Sequence, residues 1–216
     1  PNLPRRGRNQ TTYLLRASAV LHYDRPALSK RIAILGSTGS IGRSAVEVMQ
    51  HLGAPYRTTA LSANGSVDLL LEQARALRPA AVAVTGNYCD RDQLTEQLHH
   101  LGAEAFFGAA GLTELAIHPE VDVVLSAVVG AAGLPAAVAA IEAGKTLLLA
   151  NKESLVVAGS LLMPAAREKG VPILPIDSEH SAVFQAMLAG RRDEVKRVIL
   201  TASGGPFRTC PPGEMG

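Results

Sequence analysis

Two carboxylates at the end of a short apolar run are the residues of this chain best suited to hold a metal ion. Asp177 and Glu179 follow residues 173–176 and are separated by one residue. Because successive side chains of a strand point to opposite faces, the two carboxylates can converge if the strand continues that far. Hard oxygen ligands of this kind suit Mg²⁺ or Mn²⁺. The alternative is that Asp177 is the N-cap of a following helix, with Glu179 in its first turn.

Three glycines at equal spacing form a candidate nucleotide-binding turn. Gly36, Gly39 and Gly42 lie between an apolar run, residues 31–35, and a segment whose apolar residues recur at helical spacing. Glycines in a strand-to-helix turn permit close approach of a pyrophosphate, and the helix N-terminus supplies N–H donors and a positive dipole. The spacing is GxxGxxG rather than GxGxxG, so a plain structural turn is the alternative.

The turn after the second apolar run favours NADP(H) over NAD(H). In NAD-binding sites an Asp or Glu about 20 residues after the glycines binds the ribose 2′-hydroxyl. Here the turn contains Asn64 and Ser66 and no acid, so a 2′-phosphate is not repelled. Residues 63–66 also contain no arginine or lysine, so the turn provides no cation for that phosphate.

Polar residues follow two later apolar runs. Asn151, Lys152 and Glu153 come after the run at residues 146–150, at the end of a strand where ligands of such sheets bind. Lys152 would place a cation beside an anionic substrate, and the alternative is an ordinary loop and helix start. Ser203 begins a small-residue turn that can form an anion-binding nest or simply end a strand.

Apolar runs and helical patterns alternate along most of the chain. Strands are predicted at residues 31–35, 56–62, 80–84, 105–107, 121–127, 146–150 and 173–176. Helices are predicted at residues 41–52, 67–77, 91–101, 111–117, 135–143, 159–169 and 182–188. Alternation at this interval predicts right-handed βαβ units, and hence an α/β, Rossmann-like, mainly parallel sheet with an NADP-binding site.

The same patterns predict the division into domains. Residues 31–170 are predicted to form the nucleotide-binding domain, and residues 171–216 to begin an α+β catalytic, metal-binding domain with a strand at residues 195–201. Residues 1–30 are basic and lack apolar periodicity, so we expect a disordered extension, with an organellar transit peptide as the alternative. Because the chain begins without Met and stops within a Pro/Gly-rich stretch, we expect a fragment of a longer protein.

The composition argues against several classes of protein. Of the 216 residues 47% are hydrophobic and 19% charged, which predicts a full globular core. A net charge of +2 does not favour nucleic acid or an anionic membrane as a partner, and no apolar run is long enough to span a bilayer. The two cysteines have no partner spacing, which fits a reducing compartment and indicates neither a disulfide framework nor a zinc site.

Five strings of residues resemble the 1-deoxy-D-xylulose 5-phosphate reductoisomerase family. They are GSTGSIG at 36–42, VVGAAGL at 128–134, LLANKESLV at 148–156, ILPIDSEHS at 173–181 and SGGPFR at 203–208, in the family's order. Long ordered strings are far more specific than the glycine spacing alone. The resemblance implies an enzyme of the non-mevalonate isoprenoid pathway. It would isomerise 1-deoxy-D-xylulose 5-phosphate and reduce the intermediate aldehyde with NADPH, giving 2-C-methyl-D-erythritol 4-phosphate.

The resemblance also implies roles for individual residues. The residues expected to hold the cofactor are Thr38, Gly39, Ser40, Ile41, Asn64, Ser66, Asn151 and Glu153. The residues expected to contact the substrate are Lys152, Ser178, Glu179 and Ser203, with Lys152 and Glu179 as catalytic residues. Asp177 and Glu179 would bind Mg²⁺ or Mn²⁺. The turn at residues 63–66 departs from the family's more usual Ala-Gly-(Lys, Arg or Ser)-Asn.

The family pattern further implies what would complete the site. A third metal carboxylate, a mobile loop with a histidine and further phosphate-binding residues are expected beyond Gly216. The full-length enzyme is expected to be a homodimer. A bacterial cytoplasmic location is favoured over a plastid one. Two alternatives are a non-catalytic nucleotide-binding module and another NADP-dependent two-domain enzyme, such as a semialdehyde dehydrogenase. The latter needs a catalytic cysteine in a strand-to-helix turn, where neither Cys89 nor Cys210 lies.

Overall fold

A seven-stranded parallel sheet is the centre of the fold. A computed structural model describes residues 30–199 and Pro211. The strands are β1 (Lys30–Leu35), β2 (Tyr56–Ala63), β3 (Ala81–Val84), β4 (Glu104–Phe107), β5 (Val123–Ser126), β6 (Thr146–Leu149) and β7 (Ile173–Pro175). Their order is β4-β3-β2-β1-β5-β6-β7, and every neighbouring pair is parallel. The prediction of an α/β, Rossmann-like sheet is confirmed.

Seven α-helices lie between or after these strands in the described residues. They are α1 (Ser40–Leu52), α2 (Val67–Leu77), α3 (Arg91–His100), α4 (Gly108–Ile117), α5 (Leu134–Glu142), α6 (Lys152–Lys169) and α7 (Ser178–Leu188). Short 3₁₀ helices occur at Gly130–Gly133 and Arg192–Glu194. In residues 30–199 we find no helix with both the length and the apolar character that crossing a membrane requires.

Both faces of the sheet are covered, which is why its strands read as continuous apolar runs. Successive residues of β1 show this, since they point to opposite sides. Ile34 packs in a cluster with Leu70 of α2, and Leu35 packs in a second cluster with Ile141 of α5. All four side chains are buried. The interior of the strand is thereby fixed, and its carboxyl end is left to form the turn that follows.

The order of the strands reverses beside β1. β2 pairs on one side of β1 and β5 pairs on the other, so the connections diverge at this point. In open α/β sheets ligands bind in the crevice at the carboxyl ends of the strands where this reversal occurs. The glycine turn after β1 therefore lies at the position where such a sheet takes a nucleotide.

Two helices begin at least four residues earlier than the apolar patterns predicted. α6 begins at Lys152 rather than residue 159, because the Asn151 side chain accepts a hydrogen bond from Ser154 N and starts a helical turn. The predicted start falls just after Ala158, whose φ of −134° and ψ of 19° interrupt the helix. α7 begins at Ser178 rather than residue 182, directly after Asp177 at the N-cap position.

The predicted strand at residues 195–201 is wrong in its described part. Residues 195–199 form no strand, and Val198 and Ile199 are 53% and 66% exposed. Within residues 30–199 no strand lies alongside them, and a strand needs a neighbour for its hydrogen bonds. β7 pairs with β6, so the sheet continues past residue 170, and the predicted domain boundary there stays a prediction.

Candidate active site

Two of the three glycines are required by the geometry of the turn between β1 and α1. A Cβ atom at Gly42 would lie 2.1 Å from the carbonyl oxygen of Gly36. Gly36 has a φ of +81°, and a Cβ atom there would lie 2.8 Å from the carbonyl oxygen of Ala127. At Gly39 the nearest such atom is 3.4 Å away, so the chain itself leaves room at this exposed position.

Three polar residues that the sequence reasoning missed hold the turn in place. The Ser62 hydroxyl accepts from Gly36 N at 2.9 Å, and the Ser62 carbonyl accepts from Ser37 N at 2.8 Å. The Ser37 hydroxyl donates to Gln73 Oε1 at 2.6 Å, and Gln73 Nε2 donates back to the Ser37 carbonyl at 3.0 Å. The one sequence signal was a glutamine on the apolar side of α2, next to Ala74.

The start of α1 offers free donors to an anion. Gly39 occupies the N-cap position and provides no side chain to satisfy the first N–H groups, and the first turn contains no acidic residue. Thr38 is half-buried, while Ser40 and Ile41 are exposed. The four residues predicted to hold the cofactor therefore lie together at a helix N-terminus, an arrangement suited to a pyrophosphate.

The turn after β2 is held by the loop after β3. Thr85 Oγ1 donates to Asn64 Oδ1 at 3.1 Å, and Gly86 N donates to the Asn64 carbonyl at 2.9 Å. These bonds use the side-chain oxygen of Asn64 and leave its Nδ2 hydrogens for another partner. Asn64 and Ser66 are both exposed. The turn thus presents neutral donors, and no cation, at the end of β2.

Both polar atoms of the Asn151 side chain form hydrogen bonds within the protein. Its Nδ2 donates to the carbonyls of Val128 and Gly130 in the loop after β5. Its Oδ1 accepts from Ser154 N at 3.0 Å and lies 3.4 Å from the Ser154 hydroxyl. Asn151 is 4% exposed. It joins the exits of β5 and β6, and direct contact of Asn151 with a cofactor stays a prediction, as does that of the exposed Glu153.

Asp177 occupies the N-cap position of α7 without making the usual capping hydrogen bond. The strand geometry that would place Asp177 and Glu179 on one face is absent, because β7 ends at Pro175. His180 Nδ1 lies 2.7 Å from Asp177 Oδ1, and Lys152 Nζ lies 3.8 Å from Asp177 Oδ2. Asp177 Oδ2 is buried and accepts no hydrogen bond. An anionic oxygen in this state fits a cation ligand.

The surroundings of Glu179 lower the pKa of its carboxyl. The Ser178 hydroxyl donates to Glu179 Oε2 at 2.8 Å and is the main cause that lowers the pKa of the Glu179 carboxyl. Its own backbone N–H and the charge of Lys152 act in the same direction, whereas burial opposes them. Glu179 is therefore available as an oxygen ligand at neutral pH.

The structure brings together some of the predicted residues and not others. Lys152 and Asp177 meet because β6 and β7 are neighbours and α6 and α7 begin where these strands end. Residues 30–199 contain no cluster of three or more His, Cys, Asp or Glu arranged to hold a metal ion. Ser203 lies outside the described residues. The metal assignment of Asp177 and Glu179 accordingly stays a prediction, supported by the unpartnered Oδ2.

Sequence comparison identifies one family along most of the chain. The sequence model of 1-deoxy-D-xylulose 5-phosphate reductoisomerase matches residues 32–159. The model of the 1-deoxy-D-xylulose 5-phosphate reductoisomerase C-terminal domain matches residues 173–216. A 1-deoxy-D-xylulose 5-phosphate reductoisomerase from Bacteroides fragilis is 51% identical over 181 residues, which are 84% of this chain and 46% of the relative. One from Anaeromyxobacter sp. strain K is 49% identical over 186 residues, 86% of this chain and 47% of the relative.

Solved structures give the same result. The enzyme of that name from Zymomonas mobilis in complex with NADPH has a TM-score of 0.76 and 42% identity, covering 86% of this chain and 48% of that one. A DOX-P reductoisomerase with fosmidomycin and magnesium has a TM-score of 0.74 and 39% identity, covering 86% and 49%. The chain spans about half the length of these relatives.

Proposed function

This chain belongs to the 1-deoxy-D-xylulose 5-phosphate reductoisomerase family, and from that premise we propose that it supplies the nucleotide site and part of the active site of such an enzyme. The reaction would be isomerisation of 1-deoxy-D-xylulose 5-phosphate and NADPH-dependent reduction to 2-C-methyl-D-erythritol 4-phosphate, in the non-mevalonate isoprenoid pathway. The observation that carries the proposal is the contact of Lys152 with Asp177. This contact lies at the carboxyl ends of the strands, where the glycine turn also lies.

The geometry of the sheet supports a single site at the carboxyl ends of its strands. β1 and β7 are three strand spacings apart, about 14 Å, and their carboxyl ends face the same way. A dinucleotide with its pyrophosphate on the start of α1 would extend across the carboxyl ends of the strands toward the start of α7. Its hydride donor would then lie near the groups that hold the sugar phosphate, and such placement is what the protein contributes to hydride transfer.

NADPH is the cofactor that the residues of the first two turns fit. Thr38, Gly39, Ser40 and Ile41 would hold the pyrophosphate through the helix N-terminus. Asn64 would donate to the 2′-phosphate through Nδ2, since its Oδ1 is already used by Thr85. A solved relative from Zymomonas mobilis holds NADPH, which supports the same cofactor here.

Asp177 and Glu179 would hold Mg²⁺ or Mn²⁺. A divalent ion, when bound, polarises a carbonyl and fixes adjacent oxygens of the substrate. Asp177 contributes a buried oxygen whose carboxylate is oriented by His180, and Glu179 is ionised. Because only two carboxylates are present, the pair alone should bind an ion weakly, with a third ligand from residues beyond this chain.

Substrate contacts would come from the starts of α6 and α7. Lys152 supplies a half-exposed ammonium group for anionic oxygens, and Ser178 supplies a hydroxyl beside the metal ligands. Ser203 would add a donor for the phosphate. Lys152 and Glu179 would be the catalytic residues, as the resemblance to the family implies.

The remaining assignments follow the relatives. We propose that residues 31–170 form the nucleotide-binding domain and that residues 171–216 begin the catalytic domain, after a basic extension at residues 1–30. The complete enzyme would be a homodimer in the bacterial cytoplasm, and the bacterial origin of the relatives from Bacteroides fragilis and Anaeromyxobacter supports the location.

The test joins this chain to the C-terminal half of the Bacteroides fragilis relative. We expect the chimera to oxidise NADPH in the presence of 1-deoxy-D-xylulose 5-phosphate and Mg²⁺. Asp177→Asn and Glu179→Gln should each lower turnover by about 10²-fold or more, since a metal ligand is lost. NADPH binding, followed by fluorescence, should be unchanged. Full turnover in both variants would falsify the metal assignment.

A further inference from the structure

The two oxygens of the Asp177 carboxylate have different partners. Asp177 Oδ1 is 2.7 Å from His180 Nδ1, whose N–H donates to it because an ionised carboxylate only accepts. Asp177 Oδ2 is buried and accepts no hydrogen bond. Such an oxygen is unfavourable in the fold unless a cation lies close to it.

The cation beside Asp177 Oδ2 is the ammonium group of Lys152. Lys152 Nζ lies 3.8 Å from Oδ2, too far for a hydrogen bond and within the range of an ion pair. The side chains differ in exposure: that of Lys152 is 55% exposed and that of Asp177 is 10% exposed. The carboxylate is therefore fixed by its surroundings, whereas the lysine is a flexible chain that can leave.

We propose that Lys152 is a stand-in for the divalent ion, neutralising Asp177 Oδ2 in the metal-free protein and being replaced when the metal binds. The inference rests on the proposed function, because it takes Asp177 to be a metal ligand. No bond is made or broken: one cation replaces another at the same oxygen.

Displacement of Lys152 has a consequence for the substrate. The released ammonium group is free to pair with anionic oxygens of the sugar phosphate at the start of α7. Metal binding and anion binding then favour one another, because each removes a partner of the Lys152–Asp177 pair, and this coupling is reciprocal. Lys152 therefore becomes fully available to pair with the sugar phosphate only when the metal is bound.

Mn²⁺ affinity of the chimera with the C-terminal half of the Bacteroides fragilis relative, measured by electron paramagnetic resonance of the free ion, tests the competition. In this chimera Lys152→Met should bind Mn²⁺ about two- to fivefold more tightly than the unsubstituted form, the range expected for removal of one partly exposed ion pair. Lys152→Arg keeps the charge and should restore the original affinity. The matched control is Lys169→Met, which removes another lysine of α6, paired with Glu142 at 3.1 Å, and should leave Mn²⁺ affinity unchanged.

Nitrogen NMR of the lysine ammonium groups tests the displacement itself. The Lys152 signal, assigned by its loss in Lys152→Met, should move to the position of a free lysine as Mg²⁺ saturates the site. Equal or weaker Mn²⁺ binding by Lys152→Met overturns the inference while leaving the metal site in place. Absence of Mn²⁺ binding in every variant overturns the metal assignment, and the inference with it.

Discussion

Ser37 and Gln73 exchange two hydrogen bonds that attach the glycine turn to α2. The Ser37 hydroxyl donates to Gln73 Oε1 at 2.6 Å, and Gln73 Nε2 donates to the Ser37 carbonyl at 3.0 Å. Both residues are buried. The glycine turn, which is the candidate pyrophosphate site, is thus held in part by a helix that is remote from it in the sequence.

Gln73→Leu should loosen the turn. The substitution leaves the buried Ser37 hydroxyl and carbonyl without these partners, and we expect a loss of about 1–3 kcal/mol in the free energy of unfolding. NADPH binding should weaken as well, because the turn is no longer held. Urea denaturation and NADPH fluorescence measure the two effects. Gln93→Leu, at an exposed glutamine of α3, is the control and should change neither.

Gly42→Ala and Gly39→Ala should separate stability from binding. At Gly42 the new Cβ atom would lie 2.1 Å from a backbone oxygen, so we expect a loss of about 2–3 kcal/mol and a lower melting temperature. At Gly39 the nearest atom is 3.4 Å away, so folding should be retained while NADPH affinity falls. Normal NADPH affinity in Gly39→Ala would contradict its assignment to the cofactor site.

Asn64→Asp should reduce the preference for NADPH. A carboxylate at the end of β2 repels a 2′-phosphate and can accept from a ribose 2′-hydroxyl. We expect the ratio of NADH to NADPH affinity to rise by about tenfold, which corresponds to about 1.4 kcal/mol. Titration with both nucleotides measures the ratio. Asn87→Asp adds the same charge at an exposed position of the loop after β3, and an equal effect there would argue against a direct role for Asn64.

The ion pair between Arg31 and Asp122 should make stability fall in acid. Arg31 donates to the Asp122 carboxylate from Nη2 at 2.9 Å and from its backbone N at 3.0 Å, and these bonds lower the pKa of Asp122. A lowered pKa means that the stabilisation is complete above the unfolded value of about 3.9 and is lost as pH falls through the folded value. The effect should be small, because both side chains are about one-third exposed.

Urea unfolding of the chain and of Asp122→Asn between neutral pH and pH 3 measures this contribution. The unchanged chain should be the more stable of the two at neutral pH, and the difference should shrink toward zero in acid. A difference that stays constant over this range would show that Asp122 acts through packing and not through its charge.

Local hydrophobic patterns in the sequence were sufficient to predict most strands of the sheet and most helices. The helix at Val67–Leu77 has the predicted bounds, because its apolar face and the flanking residues define both ends. Strand β1 was predicted to within one residue, because a strand covered on both faces reads as an uninterrupted apolar run. Hydrophobic spacing placed the starts of α6 and α7 too late, because each helix begins with polar residues, and the alternative interpretation of Asp177 as an N-cap gives the observed start of α7.

The sequence by itself determined the α/β class, the glycine turn, the family and the chemical types of the candidate ligands, since these depend on short strings and their order. Only the tertiary structure decided that Gln73 holds Ser37, that the Asn151 side chain donates to the loop after β5, and that Asp177 faces Lys152. The physical reason is that such contacts depend on which strands are neighbours, and strand order is set by packing of the whole sheet rather than by any local pattern.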